Sequence, residues 1–138
     1  MAIEDGDDFY ISNTEGYFQL ESTIIDNPKG ASSIAAENVN VTLKDVTMKN
    51  IGVQPIRALT EGSGLSCYNC RAISIENSQF INLNSLRGGA IYIEESDDNK
   101  LPTDTYGKYQ ISNSKFDSCS AVAGGAIYLN NPQYLTID

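Results

Sequence analysis

The stretch GGAIYIEES, residues 88–96, decides the fold because it returns near the end of the chain as GGAIYLNNP, residues 124–132. The two copies lie 36 residues apart. Each has two glycines, a small residue, and then branched and aromatic residues in alternation. A motif that recurs in this way is typical of a solenoid, in which one structural unit is repeated along the chain.

The residues before each glycine pair repeat as well. Segment 72–87 precedes the first pair, segment 109–123 precedes the second, and their residues match at the same offset. The matched pairs are Ile75 with Ile111, Asn77 with Asn113, Ser78 with Ser114, Phe80 with Phe116 and Ser85 with Ala121. Each unit is therefore predicted to contain an alternating strand, a polar bend, an apolar Phe, a bend of small residues, the glycine pair and a second strand.

Weaker copies of the unit are predicted elsewhere in the chain. GSGLSC (62–67) and GYFQLES (16–22) align with the strand that follows the glycine pair. VTLKDVTMKN (41–50) aligns with segment 73–82, and YLTID (134–138) aligns with the opening strand of a unit. This alignment gives Leu65 and Cys67 the places of Ile91 and Ile93, and it gives Phe18 and Leu20 those same places. The polar segment 94–108 is predicted to be an inserted loop that lengthens one unit.

The fold class follows from the pattern within each unit. Apolar and polar residues alternate with period two, as at Ile73, Ser74, Ile75 and Glu76, and no segment keeps a helical period. A unit of about 25 residues with two or three short strands cannot bury its apolar face alone, so neighbouring units must stack. We therefore predict an all-β fold, a right-handed parallel β-helix (solenoid) of about four to five coils.

Particular residues are assigned to the bends and to the core of this β-helix. Glycine and asparagine suit sharp bends because they tolerate positive φ angles, and Asn77 and Asn113 are expected to hydrogen-bond along a ladder. The predicted core consists of Ile75, Phe80, Ile91, Ile93, Ile111, Phe116, Ile127 and Leu129. If Phe116 is a buried aromatic residue, its replacement by Ala costs about 3–5 kcal/mol.

The repeats resemble those of two groups of surface proteins. Gly-Gly-Ala-Ile-Tyr with a Phe eight residues earlier resembles the repeats of chlamydial polymorphic outer-membrane adhesins. SCYNCRAISIENSQF (66–80) and FDSCSAVAGGAIYL (116–129) are similar to repeats of ciliate cell-surface proteins that have a pectin-lyase-like β-helix. The resemblance implies a structural module at the cell surface or secreted, within a longer polypeptide.

Composition and charge restrict the function. The net charge of −9 argues against partners that are nucleic acids or anionic membranes. No apolar run is long enough to span a bilayer, and MAIEDGDDFY (1–10) has no signal-peptide pattern. We expect a single domain over residues 1–138, a fragment of a longer repeat protein that is extracellular or at the cell surface.

Catalytic and metal-binding patterns are weak. Hydrolases of this shape need convergent carboxylates, but Glu76 aligns with Ser112, and the outward positions Tyr92 and Tyr128 are not acids. The acidic groups EDGDD (4–8) and EESDD (94–98) fit no complete calcium loop and are expected to be solvated surface. The chain is therefore predicted not to be an enzyme and to have no cofactor, metal site or catalytic residue.

The three cysteines allow more than one interpretation. Cys67 and Cys70 form a lone CxxC with no histidine to complete a zinc site and no helical context for redox chemistry. We expect Cys67 and Cys119 to be small core residues on stacked coils and Cys70 to lie near a bend. A disulfide between two of the three is the alternative.

The candidate surface site is the aligned pair Tyr92 and Tyr128. Stacked on neighbouring coils, the two tyrosines are expected either to form an aromatic stripe for a protein or glycan partner or to cover each other and stiffen the sheet. Asn40-Val41-Thr42 is a lone glycosylation sequon, in keeping with secretion.

The predicted function is a non-catalytic structural or adhesive module. The alternative is a polysaccharide-binding or polysaccharide-degrading β-helix similar to pectate lyase. NPQYLTID (131–138) has no charged cover after its apolar strand, so the last coil is expected to be the exposed one. We therefore expect either that the protein continues beyond this coil in its natural context or that the coil stacks on a neighbour, and end-to-end stacking can extend into filaments.

Overall fold

The structure is a computed structural model, and it describes residues 2–4, 9–12, 17–26, 34–37, 39–51, 62–70, 72–94, 109–130 and 135–138. These residues form β-strands and no helix. The first sheet contains β1 (Ala2–Glu4), β4 (Ile24–Asp26), β7 (Thr47–Ile51), β10 (Gln79–Arg87), β13 (Lys115–Asp117) and β14 (Ser120–Ala123). The second contains β2 (Phe9–Ser12), β5 (Ile34–Glu37), β8 (Leu65–Tyr68), β11 (Ile91–Glu94) and β15 (Ile127–Asn130). The third contains β3 (Tyr17–Glu21), β6 (Asn40–Lys44), β9 (Ile73–Glu76), β12 (Tyr109–Ser112) and β16 (Leu135–Ile137).

The chain passes through the three sheets in a constant order, and every strand pair is parallel. One passage through all three sheets is a coil: coil 1 is β1–β3, coil 2 is β4–β6, coil 3 is β7–β9, coil 4 is β10–β12 and coil 5 is β13–β16. This confirms the predicted parallel β-helix. Connections between parallel strands are almost always right-handed, and the right-handed sense of this β-helix stays a prediction.

The register of the last three coils matches the alignment made from the sequence. Ile75 is paired with Ile111, Phe80 with Phe116, and Ser85 with Ala121. After the glycines, Ile91 lies between Leu65 and Ile127, and Ile93 lies between Cys67 and Leu129. Leu43 of coil 2 pairs with Ile75, and Met48 of coil 3 pairs with Phe80, as predicted.

One weaker alignment is wrong. Phe18 and Leu20 do not occupy the places of Ile91 and Ile93, because their strand β3 belongs to the third sheet and pairs with Val41 and Leu43. The strand of coil 1 in the second sheet is β2 instead, with Phe9 opposite Ile34. The predicted loop 94–108 lies outside the described residues apart from Glu94, which ends β11.

The core is a single apolar cluster that draws residues from all three sheets. Of the predicted core, Ile75, Phe80, Ile91, Ile93 and Ile111 are fully buried, whereas Phe116, Ile127 and Leu129 are only partly buried. The three exceptions all belong to coil 5. Their inward positions are correct, but among the described residues no further coil lies over them.

Left-handed backbone marks the bends. The bend between the third and first sheets has a left-handed residue at the same register position in four coils. Its φ is 51° at Ser22, 54° at Asp45, 51° at Asn77 and 48° at Asn113. Gly62, Gly88 and Gly124, with φ of 60°, 61° and 83°, precede the strands of the second sheet. The prediction that the repeated glycines and asparagines form the bends is confirmed.

Hydrogen bonds along the coil axis hold these bends together. The expected ladder at Asn77 is made by its backbone, whose N–H donates to the Ser112 carbonyl at 3.1 Å. A side-chain ladder lies instead at the bend within the first sheet. There Asn82 Nδ2 donates to Asn50 Oδ1 at 3.1 Å, and Asn50 Nδ2 donates to Asp26 Oδ1 at 3.0 Å.

A buried hydroxyl supports the bend between the third and first sheets. Ser78 Oγ accepts a hydrogen bond from the Val46 N–H at 3.2 Å and donates to the Glu76 carbonyl at 2.9 Å. The Ser78 N–H in turn donates to Ser114 Oγ at 3.1 Å. Each hydroxyl thus satisfies backbone groups that the turn leaves without a strand partner.

Candidate functional site

The two tyrosines predicted as a surface stripe do lie on adjacent strands, but they differ in exposure. Tyr92 and Tyr128 are directly paired, with ring centroids 5.4 Å apart and an interplanar angle of 7°. Tyr92 is only 2% exposed, whereas Tyr128 is half-buried. The stack itself is as expected, but the ring of Tyr92 is covered, so only Tyr128 is accessible to a partner.

An arginine joins this stack. The guanidinium carbon of Arg87 lies 5.7 Å from the centroid of the Tyr128 ring, within the range of a cation–π contact. Arg87 is exposed and ends β10, just before the bend at Gly88. No pattern in the sequence indicated this contact, because it depends on how the bend directs the end of one strand over the next coil.

The outer face of the second sheet carries further polar and aromatic side chains. Tyr68 is 39% exposed and is paired with Glu94, which in turn is paired with Asn130. Asn130 Nδ2 donates to Glu94 Oε1 at 2.8 Å. This face therefore combines an accessible tyrosine with carboxylate and amide groups.

Coil 5 carries the two most exposed large hydrophobic side chains of the described residues. Val122 is 85% exposed and Ile137 is 56% exposed. Ile137 is in register with the buried Ile111, so it occupies an inward position that coil 5 leaves open. Among the described residues, no strand lies beyond coil 5 to cover this position.

Within the described residues, we looked for groups of side chains that could hold a metal ion and for acids stacked on neighbouring coils. No group of three or more His, Cys, Asp or Glu side chains within them is placed to hold a metal ion. Glu76 is exposed on β9, and its neighbour on the next coil is Ser112. The acidic segments 5–8 and 95–98 lie outside the described residues. No helix of the described ranges is long and apolar enough to cross a bilayer.

All three cysteines are free thiols, and two of them are in contact. Cys67 and Cys70 are buried, with a bend at Asn69 between them. Burial raises the pKa of the Cys67 thiol well above its ordinary value, and the adjacent Cys70 thiol raises this pKa further. Cys119 is only partly buried, lies in the bend between β13 and β14 and is not stacked on Cys67. Its Sγ lies 3.3 Å from the Phe80 carbonyl, and burial raises its pKa as well.

These environments predict a clear order of thiol reactivity. An alkylating reagent needs the thiolate and access to it, so at neutral pH we expect Cys119 to be modified first. Cys67 and Cys70 should react only when the protein opens or unfolds. Mass spectrometry of peptides after timed alkylation measures this order, with fully denatured protein as the control. Faster modification of Cys67 than of Cys119 in the folded protein would contradict the described burial.

Comparisons with family models, with curated proteins and with solved structures found no match for this chain. The fold is therefore established by the strand pairings alone. The resemblance to surface-protein repeats stays a prediction.

Proposed function

We propose that this chain is a non-catalytic structural or adhesive module of a cell-surface or secreted protein and that it assembles end to end. The observation that carries the proposal is the uncovered coil 5. Phe116, Ile127 and Leu129 are only partly buried, although the residues paired with them on coil 4 are fully buried. Another coil placed on coil 5 would remove this apolar surface from water.

The backbone supports the same proposal. Strands at the edge of a sheet present unpaired N–H and C=O groups, which are a template for another strand. In coil 5 the strands β13, β15 and β16 each pair on one side only among the described residues. A coil that stacks there would extend all three sheets at once. Stacking of this kind is heterologous and does not close, so it can continue into filaments.

A variant pair on exposed isoleucines tests end-to-end assembly. Ile137 is 56% exposed at an inward position of coil 5, and Ile24 is 48% exposed on coil 2, paired with Thr47. Since burying such a side chain stabilises a complex by about 1.5–3 kcal/mol, we expect Ile137→Lys to weaken association at least about tenfold. Ile24→Lys should leave association unchanged. Light scattering and electron microscopy over a range of concentrations provide the measurement.

Two results would count against the proposal. One is a chain that stays strictly monomeric at every concentration and solution condition. The other is an equal loss of association in Ile137→Lys and Ile24→Lys, which would place the contact away from coil 5. Circular dichroism of both variants shows whether the fold is retained.

A second candidate function, glycan binding, is favoured by the outer face of the second sheet. Aromatic rings and planar polar groups are common in sites that hold sugars, and Tyr68, Glu94 and Tyr128 share this face. Acidic and neutral polysaccharides, with and without calcium, are the ligands to assay. Binding that is lost in Tyr128→Ser supports the candidate, whereas release of unsaturated or reducing sugar would overturn the non-catalytic assignment.

A further inference from the structure

We infer that Asn40 is the attachment site of an N-linked glycan, which stands on the outer face of the third sheet. The acceptor sequence is Asn40-Val41-Thr42, and no other Asn-x-Ser or Asn-x-Thr occurs in the chain. The inference rests on the proposed function, because only a chain that enters a secretory pathway meets the enzymes that attach such sugars.

The strand that carries this sequence places both of its functional groups on one side. β6 begins at Asn40, and its residues alternate between partly exposed and buried positions. Side chains two residues apart on a strand share a face, so Asn40 and Thr42 lie on the outer face of the third sheet while Val41 packs in the core. The amide that accepts the sugar and the hydroxyl that completes the acceptor sequence are therefore neighbours.

The surroundings of Asn40 leave space for a substituent. The Val41 N–H donates to the Ala72 carbonyl at 2.8 Å, and Val41 is paired with Ile73, so Ala72 lies beside Asn40 on the next coil. Ala72 has only a methyl side chain. Asn40 is itself partly exposed, although its Oδ1 is buried. Because Oδ1 and Nδ2 point away from each other across the planar amide, this orientation turns Nδ2, the atom that takes the sugar, toward solvent.

The other asparagines of the described residues all have a structural task. Those with a left-handed backbone at a bend are Asn50, Asn69, Asn77, Asn82 and Asn113. Asn84 accepts a hydrogen bond from the Ser120 hydroxyl, and Asn130 donates one to Glu94. Asn40 instead lies in an extended strand, and its buried Oδ1 has no hydrogen-bond partner, which is a cost that an apolar or smaller side chain would avoid. Packing therefore does not account for this asparagine, whereas modification at Nδ2 does.

The outer face around Asn40 suits a sugar better than a protein partner. One row of polar side chains runs along the coils through Gln19, Thr42, Ser74 and Gln110. The next row contains Glu21, Lys44, Glu76 and Ser112. Among the described residues, the exposed large hydrophobic side chains at outward positions, Ile24, Tyr68 and Val122, lie on the first and second sheets. Hydroxyl and amide groups can hydrogen-bond a sugar, so partner contacts of a glycosylated chain are left to the other two sheets.

The attachment is a substitution at the first sugar. The donor is an oligosaccharide linked through a diphosphate to a lipid, and the secretory pathway supplies it together with the transferase. Nδ2 forms a bond to the anomeric carbon as the bond from that carbon to the diphosphate oxygen breaks. The lipid diphosphate leaves with the bonding electrons, and the amide nitrogen loses one proton to a base of the transferase. This step acts on the extended chain before folding, so the folded β-helix needs only to accommodate the sugar.

Mass spectrometry of secreted protein tests the inference. The chain is expressed behind a cleavable secretory signal in a eukaryotic host, and we expect a mass increase of whole sugar residues on the peptide that contains Asn40. Peptide:N-glycosidase should remove this increase and leave Asp at that position. Asn40→Gln and Thr42→Val should lose the sugar, whereas Thr42→Ser should keep it, because Ser also completes the acceptor sequence. Thr42→Val matches the shape of the native side chain, so it separates loss of the hydroxyl from loss of packing.

A second acceptor sequence elsewhere in the fold provides the positive control. Asn77 and Gln79 are exposed, and Gln79→Thr completes an acceptor sequence at Asn77. Gln79 is paired with Thr47 on the preceding coil, so threonine suits this position. Gln79→Thr should therefore carry a second glycan in addition to the one at Asn40.

The outcomes separate this inference from the proposed assembly. Secreted wild type without sugar at Asn40 overturns the inference, with or without sugar in Gln79→Thr, and so does a glycan that persists in Thr42→Val. Light scattering of the same protein then measures association. Protein that carries the sugar but never associates counts against end-to-end assembly and leaves the glycan standing, and protein that associates without sugar does the reverse. Circular dichroism shows that each variant is folded.

Discussion

Replacing Gly88 with Ala is expected to destabilise the protein by about 2–5 kcal/mol. A Cβ added to Gly88 would lie 2.0 Å from the Ile91 carbonyl oxygen and 2.9 Å from the Tyr128 nitrogen. Both are backbone atoms of paired strands, so neither can move without breaking the ladder. The φ of 61° adds the cost of a left-handed conformation, which is about 1–2 kcal/mol for a residue with a Cβ.

Gly125 provides the matched control for this substitution. It also has a positive φ, 55°, but a Cβ added there has nothing within 4 Å. Gly125→Ala should therefore cost only the conformational part, about 1–2 kcal/mol. Urea unfolding monitored by circular dichroism gives both free energies of unfolding. Equal costs for the two variants would mean that the coil packing at Gly88 is not as described.

The glycine pair thus meets two different requirements. The first glycine of the pair needs the left-handed conformation. The second, Gly89, is close to the backbone of the next coil, since its Cβ would lie 2.5 Å from the Ser120 carbonyl oxygen. Gly125 is free of this restriction because coil 5 has no described coil beyond it. The repeated motif therefore reflects coil stacking as well as turn conformation.

The register of coils 3 to 5 could be predicted because the sequence repeats it without a gap over the strands. Ile75, Phe80 and Ile91 each recur 36 residues later, and each is paired with its counterpart. Residue type and spacing agree there, so the alignment had a single solution. The outline of a parallel β-helix followed from that repeat.

The strands of the first coils were harder to assign to a sheet from the sequence. Every strand of this fold alternates apolar and polar residues, so the alternation alone does not tell which sheet a strand joins. A glycine before Tyr17 and Phe18 imitated the motif of the second sheet, but β3 pairs in the third. Only the spacing between units identifies the sheet, and the connections in that part of the chain are irregular in length.

Only some features of the candidate sites could be predicted from the sequence. The alternation correctly placed Tyr92 and Tyr128 in one column, but alternation does not reveal what covers a side chain, and Tyr92 is buried. The contact of Arg87 with Tyr128 has no local pattern.

Replacing Phe80 with Ala is expected to destabilise the protein by about 3–5 kcal/mol, the usual range for a buried aromatic side chain. Phe80 is fully buried between Met48 and Phe116, and it stacks on the Phe116 ring with centroids 4.9 Å apart. The substitution removes that stack and leaves a cavity in the middle of the core. Urea unfolding at equal protein concentration measures the loss.

Phe116→Ala is the control for this prediction. From the sequence alone this substitution was expected to cost about 3–5 kcal/mol, and the structure lowers that expected cost. The Phe116 ring is only partly buried, so its removal should cost about 1–2 kcal/mol and leave no enclosed cavity. If the two substitutions had equal effects in the monomer, coil 5 would have to be covered as fully as coil 4. Equal effects that emerge only at concentrations where the chain associates would instead show that a second coil has buried Phe116, which is the result that end-to-end stacking requires.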